Sequence, residues 1–310
     1  MYIMKLRPAY KDYIWGGNRL VTDFGMKSNL TPTAEAWVLS SHSDGECYVE
    51  NGQFAGMSFS QMLKINGRKI LGTNCADFNF FPMLIKLIDA KQKLSVQVHP
   101  TDSYALKKEG QLGKTEMWYV IDSARNSYIY YGFKEKLTKQ DVKDRINNGT
   151  ILEVLNKVKV KKGDTIFIKS GTVHAIGPGL LIAEVQQNSN CTYRFYDYDR
   201  VDKNGNKREL HIEKALDVSD FDMPKSPILH KSTKKRLHLA NCDYFVTDRV
   251  FIKGNGFIVS DSSSFVNIVI IEGKCVINGI EGKSGDSFFI PAGFGRVNIT
   301  GDCTLLESRV

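Results

Sequence analysis

Residues 163–174, Gly-Asp-Thr-Ile-Phe-Ile-Lys-Ser-Gly-Thr-Val-His, line up with residues 285–296, Gly-Asp-Ser-Phe-Phe-Ile-Pro-Ala-Gly-Phe-Gly-Arg, and five of the twelve positions are identical. Each copy reads as a Gly-Asp turn, a strand carrying a buried aromatic, and a Gly-containing turn of small residues that feeds the next strand. A chain that uses this unit twice is constrained to two related β-rich halves. The copies part at the last position, where Arg296 stands in place of His174. Chemistry that needs the histidine belongs to the first copy alone.

The remaining pattern agrees with a mainly β fold. Runs rich in β-branched and aromatic residues at 36–40, 84–88, 94–98, 117–122, 128–133, 165–169, 180–187 and 191–196 are bounded by Gly, Asn, Asp or Pro, and predict short strands of a sandwich or barrel. Helical patterns are fewer: 58–65, 102–109 after Thr101-Asp102, 138–147 from Thr138, 150–157 and 211–217. They read as additions around a β core. A division into residues 1–230, with the helical additions, and a smaller β unit at 231–310 is expected.

With 310 residues and 42% apolar content, the chain can bury a sizeable core. Its first twenty residues carry charges and a proline where a signal peptide needs an unbroken apolar stretch, and no later run approaches 18 apolar residues. A cytoplasmic protein without membrane contact is expected. The six cysteines are scattered singly, which fits reduced thiols. A net charge of +8 suits an acidic small substrate; runs such as Lys161-Lys162 and Lys234-Lys235-Arg236 are short enough to be solvated loops, and no nucleic-acid motif is visible.

Gln97 and His99 alternate along an apolar run, so both side chains leave the same face of a strand. With Glu116 and His174 they would give two nitrogen and two oxygen ligands, a set that suits zinc. Each has a plainer reading. His99 before Pro100 could be a core or turn histidine, His174 could donate to a turn carbonyl, and Lys114 could simply pair with Glu116. Yet an ionised carboxylate beside Trp118 and Tyr119 needs a counter-charge or a metal. Lys86 and Glu184 lie in runs that read as buried strands, and burial would raise the proton affinity of Glu184 toward that of a general base. Arg194, between Tyr193 and Phe195, is either stacked or facing a cavity. His42, His211, His230 and His238 have no partner pattern and read as structural or surface residues.

Gly-Asp, apolar strand, small-Gly turn and histidine is similar to the late part of a cupin barrel. The flanking segments sharpen the likeness. Phe81-Pro82-Met83-Leu84-Ile85-Lys86-Leu87-Ile88-Asp89-Ala90, Leu94-Ser95-Val96-Gln97-Val98-His99-Pro100, Gly113-Lys114-Thr115-Glu116-Met117-Trp118-Tyr119, the run from Ala183 to Tyr198, and Arg208-Glu209-Leu210-His211 resemble the type I mannose-6-phosphate isomerases in their short bacterial form. The likeness is strong over 81–215 and rests on the barrel pattern alone toward the C-terminus. It implies two cupin-like jelly-roll units and interconversion of mannose 6-phosphate and fructose 6-phosphate through an enediol, in a monomer or homodimer. It also implies one zinc ion per chain held by Gln97, His99, Glu116 and His174. Arg194 matches an arginine implicated in catalysis, Lys114 and Glu184 match polar residues of the same pocket, and Ser95 and Lys86 match positions associated with the substrate phosphate. A sugar-binding cupin without turnover, or a cupin oxygenase, are the alternatives; Gln97 in place of a second histidine on that strand disfavours redox iron.

Overall fold

The computed structural model describes every residue except 203, 226, 227, 230 and 231, and its strands form three antiparallel sheets. Two of them face each other. A seven-stranded sheet runs in the order Ile228–Leu229, Thr165–Ile168, Glu116–Ser123, Leu180–Gln187, Met83–Ala90, Glu35–Leu39, Ala9–Lys11. A five-stranded sheet runs Tyr193–Tyr196, Val96–Val98, His174–Ile176, Tyr128–Phe133, Leu155–Lys159.

Met83–Ala90 and Leu180–Gln187 are buried at every position, which explains why they read as continuous apolar runs: the sheet is covered on both faces. Its inner face puts Ile88, Trp118 and Ile182 against Ile129, Tyr131 and Ile176 of the five-stranded layer. Its outer face puts Ile85, Met117 and Val185 in one core with Phe265, Phe289 and Leu306 from the C-terminal part of the chain. Lys86, Glu116 and Glu184 fall on the inner side by the period of two. Helices Lys139–Asn147 and Ile212–Val218 place Val142, Ala215 and Leu216 over the far side of the five-stranded layer. Ser58 and Thr138 close capping boxes at the starts of Phe59–Asn66 and Lys139–Asn147.

One expected helix is corrected. The pattern over 150–157 yields helix only for Ile151–Val154; from Leu155 the chain becomes a strand that pairs with Tyr128–Phe133. Alternating Asn156-Lys157-Val158-Lys159 satisfies an edge strand, and pairing with a formed neighbour outweighs a weak helical preference.

The third sheet has eight strands and forms the C-terminal unit. Phe245–Ser260 pairs along its whole length with Gly295–Arg309, and the enclosed interior is apolar, with Val250, Ile268, Phe288, Ile299 and Leu305 among its residues. The two halves of the internal repeat fold alike. Asp164 Oδ2 accepts from the backbone N–H of Lys161 at 2.9 Å, and Asp286 Oδ2 accepts from that of Lys283 at 2.9 Å. Gly163 and Gly285 both take the left-handed conformation, at φ 91° and 94°, that the turn requires. The expected division at 230/231 lies outside the described residues, and this sheet draws on both sides of it: Met4–Arg7 pairs with Ser287–Ile290 and Tyr48–Val49.

Phe289 is fully buried where the halves meet, 5.1 Å from the Phe59 ring and stacked on Phe265 at 5.2 Å. Phe289→Ala should cost about 3–5 kcal/mol, read from the denaturant midpoint. Because the core is shared, both halves should unfold in one transition; a second transition would show that they are stabilised separately.

Candidate metal centre

Three strands deliver the four predicted ligands to one place. Gln97, in the centre of Val96–Val98, is the register partner of His174, which opens His174–Ile176. His99 follows two residues after Gln97, and Glu116 opens a strand of the facing layer. His99 Nε2 lies 3.6 Å from Glu116 Oε2, His174 Nε2 lies 3.3 Å from Glu116 Oε1, and Gln97 Nε2 is 3.3 Å from His174 Nε2. Ligand atoms of His99, Glu116 and His174 all fall within 4.8 Å of one another, the one such group among the described residues.

The other nitrogen of each imidazole is committed. His99 Nδ1 donates to the Cys191 carbonyl at 2.9 Å and His174 Nδ1 to that of Thr172 at 2.8 Å. This arrangement selects the tautomer whose Nε2 lone pair faces the cluster, as an orienting partner does in metal sites. Burial holds His174 down to about 4 and His99 well below its ordinary value, so both rings are neutral at physiological pH. Burial drives the Glu116 carboxyl up to about 8, against the opposing pull of Lys114 Nζ at 2.8 Å. His99 Nε2 and Glu116 Oε1 are buried without hydrogen-bond partners. Rotating the Gln97 amide would turn Oε1 to the cluster and Nε2 to Ser95 Oγ, which accepts as readily as it donates. Two neutral imidazoles, one carboxylate and one amide oxygen fit a divalent ion such as zinc.

Beyond Glu116 runs a row of buried charges of alternating sign. Lys114 Nζ is 3.7 Å from Glu184 Oε1, Lys86 Nζ is 3.2 Å from Glu184 Oε2, and Lys86 Nζ is 3.9 Å from Glu35 Oε2. Cross-strand register places Glu184 opposite both Lys86 and Trp118. Trp118 Nε1 donates to Glu184 Oε1 at 3.1 Å, and Trp37 Nε1 donates to Glu35 Oε2 at 2.7 Å. The expectation that burial raises Glu184 is overturned. Burial pushes in that direction, but Lys114 and Lys86 outweigh it and hold the carboxylate at about 2. Lys86 is shifted up, because Glu184 and Glu35 outweigh its own desolvation.

Lys86, Ser95, Gln97, Lys114, Glu184 and Arg194 all border one cleft, which encloses about 540 Å³ of atom-free space open in part to solvent. Sequence reading gave no site role to two of its charged residues, Glu35 and Arg208. Glu35 sits between two alanines ahead of Trp37 in a fully buried strand, a signal as strong as that of Lys86. Of the remaining histidines, His42 packs edge-on against Trp37, His211 Nδ1 accepts from the Arg194 N–H, and His238 pairs with Asp248 in the C-terminal unit. His230 lies outside the described residues. In the second repeat, Arg296 is exposed with its guanidinium 3.8 Å over the Phe257 ring, outside the apolar interior.

Comparison with known proteins agrees with this geometry. A family described as phosphomannose isomerase type I, catalytic domain, matches residues 3–126, and one described as mannose-6-phosphate isomerase, cupin domain, matches residues 235–310. The chain is 39% identical to mannose-6-phosphate isomerase ManA of Bacillus subtilis over 98% of both chains. It is 36% identical to mannose-6-phosphate isomerase of Streptococcus mutans, over 96% of this chain and 94% of that one. The crystal structure of mannose 6-phosphate isomerase from Bacillus subtilis superposes with a TM-score of 0.92 at 36% identity, covering 100% of each chain.

His174→Ala should lower the bound divalent metal at least tenfold after dialysis, measured by elemental analysis against the parent protein. Retention of the parent's stoichiometry would place the ion elsewhere.

Proposed function

The chain belongs to the type I phosphomannose isomerase family and is an isomerase, and from that premise we propose that it interconverts mannose 6-phosphate and fructose 6-phosphate through an enediol at a zinc centre formed by Gln97, His99, Glu116 and His174. The observation that carries this reading is the buried His99–Glu116–His174 cluster at the head of a row of charges bordering one cleft. The catalytic chemistry is assigned to residues 1–230, and the unit at 231–310 is read as a metal-free cupin half.

Aldose–ketose conversion moves a proton from the carbon beside a carbonyl to the neighbouring carbon, and the barrier lies in the negative charge that develops on oxygen. When bound, zinc would supply Lewis-acid stabilisation of that charge and order the sugar oxygens. Arg194 adds a fixed positive field from the cleft wall. Lys114, between Glu116 and Glu184, presents an ammonium that can donate to a developing oxyanion. Glu184, kept ionised by two lysines, is proposed to take the proton from carbon at its carboxylate and return it one carbon away. Its low proton affinity makes it a weak base in isolation. Acidification of the carbon by oxyanion stabilisation next to it is what makes such a base sufficient. Lys86 and Ser95 line the same cleft; Lys86 serves first to hold Glu184 and Glu35 in place. Trp118 orients the Glu184 carboxylate through its N–H.

Chelation should abolish conversion of mannose 6-phosphate, and zinc alone should restore it, in a coupled assay for fructose 6-phosphate. A folded, zinc-loaded sample without turnover would sink the reading. Arg194→Ala should keep the metal and lower kcat by about 10²-fold or more; full activity would remove Arg194 from the mechanism. Glu184→Gln should stop the wash-in of solvent deuterium at C2 of the substrate, and undiminished exchange would assign the proton transfer to another group.

A further inference from the structure

We propose that Arg208, clamped by Asp197, is the residue that grips the phosphate monoester end of the substrate, a specificity role that rests on the sugar-phosphate reading above. A phosphate dianion needs uncompensated positive charge and N–H groups held in a fork. The lysines of the cleft do not offer it. Lys86 lies between Glu184 and Glu35, at 3.2 and 3.9 Å, and Lys114 lies between Glu116 and Glu184, at 2.8 and 3.7 Å. Each of these lysines is held between two carboxyl groups, so neither ammonium is left over for a ligand.

The other wall of the cleft has the opposite balance. Arg194 and Arg208 both border it, and Arg200, whose Nη1 donates to the Lys93 carbonyl, joins Arg208 at Asp197. Arg208 and Arg200 share the Asp197 carboxylate: Arg208 Nε donates to its Oδ2 at 2.7 Å and Arg208 Nη2 to its Oδ1 at 2.6 Å, while Arg200 Nη2 also reaches Oδ1. Three guanidinium groups against one carboxylate give +2, the complement of a phosphate dianion. Glu209, the next acid in sequence, has a side chain 83% exposed, so water screens it.

Two further observations point to an anionic ligand. Arg194 Nε is buried with no hydrogen-bond partner, and no ion pair of Arg194 occurs among the described residues. Arg208 spends Nε and Nη2 on Asp197, which leaves Nη1 uncommitted, and its side chain is 25% exposed, so a ligand can reach it. Asp197 is 5% exposed and fixes the plane of the Arg208 guanidinium before any ligand arrives, lowering the ordering cost of binding. The sugar would then extend from Arg208 toward Glu184 and the metal cluster, with its reacting carbons at the far end from the phosphate.

The test uses the full-length, zinc-loaded protein with Arg208→Ala and Arg208→Lys, the second serving if the first fails to fold. KM and kcat for mannose 6-phosphate, the inhibition constant of inorganic phosphate, and zinc content are measured together. Arg208→Ala should raise KM and the phosphate inhibition constant together by about 10- to 100-fold, the scale of a lost charge-assisted hydrogen bond, with zinc content unchanged and kcat altered much less. Arg208→Lys should recover part of the loss. Unchanged KM and phosphate inhibition in either folded variant would overturn the proposal, as would a loss confined to kcat. Binding of inorganic phosphate measured by calorimetry separates the two readings. A parent protein that binds phosphate through Arg208 yet leaves mannose 6-phosphate unconverted would fail the isomerase reading while keeping this one.

Discussion

Five charges of alternating sign, from Glu35 through Lys86, Glu184 and Lys114 to Glu116, are taken out of water on one face of a sheet, each residue 6% exposed or less. Desolvation of that many charges costs several kcal/mol per ion unless each finds a partner of opposite sign and hydrogen bonds for its remaining atoms. Here every lysine touches two carboxyl groups, and indole N–H groups donate to Glu35 Oε2 and Glu184 Oε1. The row ends on Glu116, whose carboxyl is buried against His99 and His174. A divalent ion at the histidine end is the natural counter-charge, which ties the metal centre and the charge row into one electrostatic unit.

That unit explains why the supporting sheet is covered on both faces. Lysines and glutamates hold positions relative to one another only if the strands bearing them are rigid. The core behind the sheet, with Phe59, Phe265 and Phe289 packed ring against ring, supplies the rigidity. The C-terminal unit therefore contributes to the site without placing a ligand in it. Its repeat keeps the Asp286 turn that closes the strand pair, and fills with apolar side chains the interior that the first unit uses for charge.

The mainly β architecture, most strand positions and the four candidate ligands that the fold brings together were legible because each left a local mark: alternation at Gln97 and His99, a carboxylate in an aromatic run at Glu116, a histidine ending a turn at His174. What was not legible depended on cross-strand register. Glu184 looked like a carboxyl with raised proton affinity because its own run is apolar; the lysines that reverse the shift come from two other strands. Glu35 was passed over beside Trp37, though its strand is buried throughout. The bond from Asp197 to Arg208 spans a loop in which Tyr198 and Asp199 both take positive φ, a path that no periodicity announces. The segment at 155–159 turned on whether a neighbouring strand was there to receive it.

The strand Met4–Arg7 finds its partner in Ser287–Ile290, close to the other end of the chain. On a ribosome, Met4–Arg7 can pair early with Tyr48–Val49, but its other edge waits for residues 287–290, and closing so long a loop carries an entropic cost. The eight-stranded sheet is therefore completed only once residues 287–290 have emerged, and until then Phe265 and Phe289 do not cover the back of the seven-stranded sheet. The newborn chain has to keep that greasy surface from its neighbours, so the interval between translation and closure is when this protein is most exposed to aggregation and most in need of a chaperone.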